Sequence, residues 1–217
     1  SKEGIMYNIG KFGDWCPPGS IVPKNTSMEF TSTWYYCHDV YLLSKIAKAL
    51  GADEDVKRYE SLFENLKESF NKKFLKNGFY ESINISPRPA EHFPSQTSFA
   101  LPLYLGMVPE DQKEKTINYL IDSVVKNHDY HVDTGILGTR YLFEVLSMLG
   151  FEEIAYKTAA QKTYPSFGYM IQEGATTIWE RWEKLTGGAM NSHNHIMFGS
   201  IDAWFYKRIA GINCLTP

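Results

Sequence analysis

The stretch GATTIWERW, which runs from Gly174 to Trp182, places a single carboxylate, Glu180, between two tryptophans and beside an arginine. A carboxylate held in such a setting can act as a general base that activates a water molecule. The competing interpretation is an acid at the edge of an aromatic core, because most acidic side chains are simply solvated. In the same way, Trp179 either frames the acid and contacts a ligand or faces the core. Spacing alone leaves both interpretations open.

Two further stretches carry side chains that are suited to holding sugar hydroxyls. FGDWCPPG (12–19) joins an acid, Asp14, to an aromatic platform, Trp15, in a loop stiffened by two prolines. A carboxylate accepts hydrogen bonds from hydroxyls, but the residues around Asp14 favour a capping role on the loop backbone. SHNHIMFGS (192–200) holds His195, whose neutral imidazole can also bind a hydroxyl.

The histidines and cysteines do not predict a metal site. His193 and His195 are spaced like two zinc ligands, but no third and fourth ligand follow at a recognisable distance. The three cysteines are sparse and widely separated, which argues against a disulfide framework. Glycine-rich phosphate-binding motifs and the GxSxG nucleophile motif are absent from the sequence. We therefore expect neither a metal nor another cofactor.

The composition argues against two classes of partner. The formal net charge is -3 and no run of basic residues occurs, so we expect no nucleic-acid binding. No apolar run approaches the length of a membrane span, so we expect no membrane partner. The chain is rich in aromatic residues, with 14 tyrosines, 13 phenylalanines and five tryptophans. Most of them should fill a core, and some can serve as platforms for sugar rings.

Apolar and amphipathic segments alternate along the chain at helical spacing, joined by loops that often end in glycine. This alternation is typical of helical hairpins arranged in a ring, with buried inner helices and outer helices that have one solvated face. About seven or eight helices are fewer than a complete six-hairpin ring requires. We therefore predict an all-α chain that forms part of an incomplete (α/α)6 toroid. The predicted helices cover residues 27–50, 52–75, 96–106, 109–127, 134–150, 151–161 and 193–211, with a short extended piece at 79–85.

The long loops adjoin the apolar helices and should gather at one mouth of such a ring, where function commonly lies. They cover residues 10–26, 77–95, 128–133, 163–178 and 184–192. In HVDTGILGTR (131–140), Asp133 precedes a predicted helix, so we expect it to cap that helix. The two glycines of this stretch allow helices to approach each other closely.

Four stretches together carry a resemblance to a known family. GDW, HVDTGILGT, YPSFGYMIQEGATTIWERW and SHNHIMFGSIDAWFYKRIAGI resemble the catalytic domain of bacterial α-L-rhamnosidases, glycoside hydrolase family 78, in their order and approximate spacing. The resemblance spans Gly13 to Ile212, and it is most specific from Tyr164 onward. It implies an (α/α)6 barrel and inverting hydrolysis of a terminal rhamnose, so the expected partner is a rhamnose-containing oligosaccharide or glycoside.

The resemblance also assigns roles to individual residues. Glu180 falls on the general base, His195 on the histidine that contacts rhamnose, and Trp15 on a tryptophan that lines the sugar pocket. Asp14 and Trp179, which lie beside two of these residues, are expected to complete the substrate-binding set.

The chain departs from the family pattern at two places. The family's general acid lies in an upstream motif resembling RDERxGWxGD, which this sequence lacks. Family members also continue into a β-sandwich beyond the position of GINCLTP. We therefore expect residues 1–217 to be part of an (α/α)6 glycoside hydrolase domain and to be inactive alone. Helix faces without their partners should expose apolar surface and favour self-association. The compartment stays open between bacterial cytoplasm and periplasm.

Two alternatives remain open. Another (α/α)6 glycosidase, or a lyase-like toroid acting on a different sugar, would require a second carboxyl within this chain, such as Asp14 or Glu173, facing Glu180. A non-catalytic carbohydrate-binding or helical interaction module would keep the aromatic platform and would use Glu180 only to hold hydroxyls.

Overall fold

The structure, a computed structural model, describes residues 3–7, 12–81 and 95–213. These residues form α-helices and one short β-hairpin, in which β1 (Leu75–Lys76) pairs antiparallel with β2 (Phe79–Tyr80). The fold is therefore the predicted all-α class. The helices are α1 (Met28–Ala49), α2 (Asp53–Phe74), α3 (Gln96–Tyr104), α4 (Glu110–Asp122), α5 (Ile136–Met148), α6 (Glu152–Ala159), α7 (Phe167–Gln172) and α8 (Ile201–Trp204).

The first helical hairpin shows how local sequence sets the element boundaries. Helix α1 begins at Ser27, whose hydroxyl accepts a hydrogen bond from the backbone N–H of Phe30 at 3.1 Å. It ends before Gly51, which has a φ of +69° that glycine adopts readily. Helix α2 then carries acidic residues in its first turn and lysines in its last turn, which matches the helix dipole. The two helices pack along each other, and the ring of Phe30 in α1 contacts the rings of Phe70 and Phe74 in α2.

The N-termini of α1, α3 and α5 lie at the same end of the molecule. Thr26, just before α1, shares hydrogen bonds with Ser95 and Ser98 at the start of α3. Gln96, the first residue of α3, donates to the carbonyl of His131 at 2.9 Å and accepts from the backbone N–H of Asp133 at 2.8 Å. Three helices that are roughly parallel therefore present their N-termini, and the loops before them, to one mouth.

Helices α3 and α5 pack so closely that a glycine is required between them. A Cβ atom added at Gly138 in α5 would lie 1.9 Å from Oγ1 of Thr97 in α3. The first eight residues of α3 are buried, as expected for an inner helix of a toroid. The close approach predicted from the two glycines of the TGILG stretch is therefore confirmed at Gly138.

The C-terminal segment differs from its prediction as one long apolar helix over 193–211. It forms a 3₁₀ turn (Ile196–Ser200), the short helix α8 and a π-helical turn (Phe205–Ile209). Only Phe198, Ile201 and Trp204 are buried, and their spacing of three residues suits the tighter turns at the start of the segment. Helix α7 was not predicted, because its six residues lie inside a predicted loop and are too few to show a helical period.

Several predictions concern residues outside the described part of the chain. They are the extended piece beyond Glu81, most of the proline-rich loop at 87–95, and Cys214. The cysteines that are described, Cys16 and Cys37, are buried free thiols.

Apolar side chains remain exposed on two surfaces. On α1, Leu43, Ile46 and Leu50 follow one another at helical spacing, and Leu50 is 78% exposed. The C-terminal segment exposes Phe205, Tyr206, Ile209 and Ile212. The expected exposed faces are therefore present. None of the helices that the structure describes combines the length and the apolar character that a bilayer crossing demands.

Candidate active site

Glu180 is held in a segment that pairs with a second segment twelve to seventeen positions further along the chain. Its backbone N–H donates to the carbonyl of Ser192 at 3.0 Å, and the N–H of His195 donates to the carbonyl of Ile178 at 2.8 Å. The hydroxyl of Thr177 adds a third link, to the carbonyl of His193 at 2.5 Å. The pairing brings the segment of Glu180 beside that of His195.

The two tryptophans that flank Glu180 anchor its backbone in the core. Trp182 is fully buried, donates from Nε1 to the carbonyl of Thr134 at 2.9 Å, and packs its ring against that of Phe198. Trp179 is 4% exposed and meets the ring of His193 at its edge, 5.4 Å between centroids. The expectation that Trp179 binds substrate is therefore corrected, because its ring has almost no surface left for a ligand.

The side chain of Glu180 is half-buried and receives two hydrogen bonds on the same oxygen. Nε1 of Trp15 donates to Oε1 at 3.2 Å, across 165 positions of sequence. Nδ2 of Asn191 donates to the same Oε1 at 3.3 Å. Trp15 is itself half-buried, and its ring meets that of Phe12 at 5.1 Å in an edge-on arrangement. The structure thus brings Trp15 and Glu180 into direct contact.

Asp14, predicted to bind substrate, instead caps helix α5. Its Oδ1 accepts from the backbone N–H groups of Leu137 and Gly138, at 3.0 and 2.9 Å. Its Oδ2 accepts from the N–H of Gly135 at 2.9 Å and from the hydroxyl of Thr97 at 2.5 Å. With four donors and only 2% exposure, the carboxylate has no lone pair left for a sugar. Burial raises the pKa of Asp14, and these hydrogen bonds oppose that rise.

The expectation that Asp133 caps α5 is wrong for the same reason. The backbone N–H groups at the start of α5 already donate to Asp14, which lies in a loop more than 120 positions earlier in the chain. The Asp133 carboxylate lies 3.7 Å from Nε2 of His128 instead. Local sequence suggested the nearest acid, whereas tertiary structure supplies a distant one.

Gly135 lets the loop of Trp15 rest directly on the start of α5. A Cβ atom there would lie 2.4 Å from the carbonyl oxygens of both Asp14 and Trp15. The N–H of the next residue, Ile136, donates to the carbonyl of Trp15 at 2.8 Å. The position of Trp15 is therefore fixed by the end of an inner helix, which is a rigid support for a residue that contacts Glu180.

Glu183 joins three parts of the site. It accepts hydrogen bonds from the N–H of Gly19, from the hydroxyl of Tyr164 at 2.8 Å and from Nε of Arg181 at 3.0 Å. Arg181 also donates from Nη1 to the carbonyl of Ala189 at 2.9 Å. The arginine next to Glu180 in sequence is thus paired with Glu183, and the network holds the 12–20 and 187–191 loops together.

His195 is half-buried and begins the 3₁₀ turn that follows it. Its Nδ1 accepts from the N–H of Met197 at 3.5 Å. Within 3–7, 12–81 and 95–213, no group bonds to its Nε2, so this nitrogen is open to a ligand.

A cavity of about 450 Å³ opens beside the Trp15 loop. It combines aromatic walls with one carboxylate, Asp39 of α1, a composition suited to a polar ring compound. Phe12, which contacts the Trp15 ring, forms part of its wall. Its other lining residues are Met6, Gly13, Thr31, Ser32, Tyr35, Tyr36, Ile136 and Leu137.

The two carboxyls considered as in-chain partners of Glu180 are both engaged elsewhere. Asp14 is saturated by the N-terminus of α5, and Glu173 forms an ion pair with Lys184 at 2.9 Å on the surface. The described residues also contain no cluster of three or more histidine, cysteine, aspartate or glutamate side chains placed to hold a metal ion.

Sequence reasoning missed Asn191, Glu183 and Tyr164. The pair Gly187–Gly188 indicates a turn, but the sequence around Asn191 does not distinguish this residue from other polar residues in loops. The sequence suggests only that Glu183 is a solvated acid. The contacts of Asn191 and Glu183 depend on loops that are distant in sequence, so the sequence alone does not reveal them.

Paired helices with their inner N-termini at one mouth, and a carboxylate contacted by an aromatic loop there, define a helical-hairpin toroid. Residues 4–209 match the model of the bacterial alpha-L-rhamnosidase 6 hairpin glycosidase domain. The chain belongs to this family.

Individual proteins give the same result. The chain is 35% identical over 224 residues to an alpha-L-rhamnosidase of Formosa agariphila, covering 98% of this chain and 23% of that protein. It is similar to the structure of alpha-L-rhamnosidase from Dictyoglumus thermophilum, with 56% identity, a TM-score of 0.88, and coverage of 96% of this chain and 23% of that one.

A third similar protein is known with a sugar. The alpha-L-rhamnosidase of Streptomyces avermitilis, whose structure is complexed with L-rhamnose, shows 29% identity and a TM-score of 0.84, and the match covers 100% of this chain and 20% of that one. The chain therefore spans only about a fifth to a quarter of the length of these relatives.

Proposed function

We propose that this chain is part of an inverting α-L-rhamnosidase that removes terminal α-L-rhamnose from glycosides, with Glu180 as its general base. The observation that carries the proposal is the contact of Trp15 with Glu180 inside a member of the six-hairpin rhamnosidase family. The relatives named above are rhamnosidases that extend well beyond the matched region. The activity is accordingly proposed for the whole protein that contains this chain.

The proposed reaction needs two carboxyl groups about 6.5–9.5 Å apart. Glu180 takes a proton from a water molecule, whose oxygen forms the new bond to the anomeric carbon. The glycosidic bond breaks on the opposite face of the ring, and a general acid gives its proton to the leaving oxygen. We place that acid outside these 217 residues, because both in-chain candidates, Asp14 and Glu173, are engaged in other contacts.

His195 and Trp15 are the proposed rhamnose-binding residues of this chain. His195 offers a free ring nitrogen to a hydroxyl, and Trp15 offers the exposed part of its indole to the C–H face of the sugar. Asp14 and Trp179 do not contact the sugar in this proposal. Asp14 fixes the Trp15 loop to α5, and the buried Trp179 fixes the segment of Glu180.

The decisive experiment is Glu180→Gln in the full-length protein, assayed with an aryl α-L-rhamnoside. We expect kcat to fall by about 10²-fold or more while KM changes little, because the lost proton acceptor acts mainly in the transition state. The melting temperature should change little, since a half-exposed acid contributes modestly to folding. Intact turnover, or loss of the folded state, would remove Glu180 from the role of base.

Glu173→Gln is the matched control, since it makes the same chemical change at a surface ion pair. It should leave kcat unchanged under this proposal and should abolish it if Glu173 is the acid of a different glycosidase. NMR of the first product should show β-L-rhamnose before mutarotation, because inversion reverses the anomeric configuration. A protein that binds rhamnose but never turns over would instead be a carbohydrate-binding module.

A further inference from the structure

We propose that Asn191 is a positioning residue for Glu180, which together with Trp15 occupies Oε1 and leaves Oε2 free to take the proton from water. This inference rests on the proposed function, since it concerns the same carboxylate. It assigns a task to a residue that the sequence did not mark.

The hydrogen bonds distinguish the two oxygens of Glu180. Oε1 accepts from Nε1 of Trp15 at 3.2 Å and from Nδ2 of Asn191 at 3.3 Å. Each carboxylate oxygen accepts about two hydrogen bonds, so Oε1 is full. The part of the chain that the structure describes offers Oε2 no donor. A carboxylate fixed through one oxygen can aim the other at a water molecule.

The backbone at Asn191 is held in an unusual conformation. Its φ is +65°, in the left-handed region that asparagine tolerates better than most residues. The loop is fixed on both sides, by Arg181 on the carbonyl of Ala189 and by the N–H of Glu180 on the carbonyl of Ser192. Asn191 is also exposed, so it does not serve as a core residue. Such backbone positions persist where the surrounding structure enforces them, often at functional sites.

The charged groups near Glu180 do not take over this task. On its own segment, Arg181 is bonded to Glu183 and to a carbonyl oxygen, not to Glu180. On the 12–20 loop, the Asp14 carboxylate is bonded to the start of α5. Burial raises the pKa of the Cys16 thiol to about 12, and the charge of Glu180 adds to that rise, so the thiol is neutral. On the segment 187–195, the titratable groups are His193 and His195. Two neutral donors, an indole and an amide, therefore fix the carboxylate.

The test compares Asn191→Gly and Asn191→Asp with the wild type, in the full-length protein. Glycine keeps the left-handed backbone and removes the amide, so the donor is separated from the conformation. We expect kcat to fall about 5- to 10-fold with KM within about twofold, which is the size of effect of one lost hydrogen bond. The acidic limb of the pH–rate profile should move to higher pH, because the ionised carboxylate loses a donor.

Asn191→Asp should shift that limb further, since it places a like charge beside Glu180. Asn77→Gly is the control, because Asn77 is also left-handed, with a φ of 53°, but bonds Lys115 far from the site. Its kinetics and pH profile should match the wild type. An Asn191→Gly variant with unchanged kcat and an unchanged acidic limb would overturn the inference.

A double variant separates this inference from the function on which it rests. In the Glu180→Gln background, Asn191→Gly should lower kcat no further, because the two residues act as one unit. An additional loss there would show that Asn191 acts through something other than Glu180. If Glu180→Gln alone keeps turnover, the proposed function fails whatever Asn191 does. If Glu180→Gln loses turnover and Asn191→Gly does not, only the positioning role fails.

Discussion

At the scale of single residues, the tryptophans beside Glu180 act as supports and not as the walls of a sugar pocket. Trp179 and Trp182 are buried and clamp the backbone on either side of the acid. The aromatic side chain that contacts the acid, Trp15, comes from the other end of the sequence. The local alternation of acid and tryptophan therefore indicated only part of the surroundings of Glu180.

Asp133 is a residue whose ionisation should work against folding. Burial raises its pKa to about 6, above the usual value of an aspartate, and the nearby His128 opposes that rise. The folded state thus favours the protonated acid. Its contribution to stability is complete below about pH 4 and is lost as the pH rises through about 6.

We therefore expect Asp133→Asn to increase the free energy of unfolding at pH 7. Two pKa units correspond to about 3 kcal/mol, and partial access of water to the side chain reduces the expected gain to about 1–2 kcal/mol. At pH 3.5 the variant and the wild type should unfold alike. Urea denaturation at both pH values measures this, with the exposed Asp129→Asn as control. Destabilisation at pH 7 would mean that the contact with His128 outweighs burial.

At the scale of elements, the sequence predicts the first six helices well and the last segment poorly. From α1 to α6, most helix ends coincide with local signals such as caps, glycines or acidic first turns. The start of α5 is the exception, because the distant Asp14 caps it. In the 193–211 segment, the apolar pattern suggested a continuous helix. Ser192 and His195 are instead held by backbone hydrogen bonds to the segment of Glu180, and the first helical turn begins only at Ile196. A pattern of apolar residues carries no information about such pairing.

The same limit applies to the candidate site. Glu180, Trp15 and His195 could be proposed as site residues because they lie in motifs that resemble a family. Asp14 was assigned to the sugar, and Asp133 to the cap of α5, because local sequence cannot show which acid reaches a helix from a distant loop. Asn191 was missed because its position depends on one left-handed backbone angle and on two loops meeting.

The contact of α3 with α5 makes a prediction in which two effects compete. In an isolated helix, Gly138→Ala would stabilise by about 1 kcal/mol. Here the new Cβ would lie 1.9 Å from Oγ1 of Thr97, so the helices must separate. We expect a net loss of about 2–3 kcal/mol, measured by thermal or urea unfolding. Gly188→Ala, with no atom within 4 Å of the added Cβ, should change stability little. A larger free energy of unfolding for Gly138→Ala would show that α3 can move away from α5 at little cost.

At the scale of the whole molecule, the exposed apolar faces set the behaviour of these residues on their own. On α1, Ile46 and Leu50 are 54% and 78% exposed, and Leu43 extends the same stripe. Contiguous apolar surface of this kind is uncommon on soluble monomers beyond a few hundred Å². If two copies of the chain packed together through this stripe, its apolar side chains would be removed from water, which favours association.

We therefore expect the 217-residue chain, expressed alone, to self-associate with a concentration dependence visible in sedimentation velocity. The double variant Ile46→Lys, Leu50→Lys should reduce this association, because each lysine places a charge on the stripe. Tyr156→Lys, on the exposed side of α6, is the control and should not. A wild-type chain that sediments as a single monomer across the micromolar range would contradict the expectation.

The contact between Trp15 and Glu180 also has a consequence for biosynthesis. The two residues are 165 positions apart, and a ribosome adds about 5–20 residues per second. Trp15 is therefore added to the chain roughly 8 to 33 s before Glu180. Until the start of α5 is made, Asp14 also lacks its helix partner, so the Trp15 loop has neither of its supports. Slowing translation between α1 and α5 should lengthen the period in which a chaperone or a protease can reach this loop.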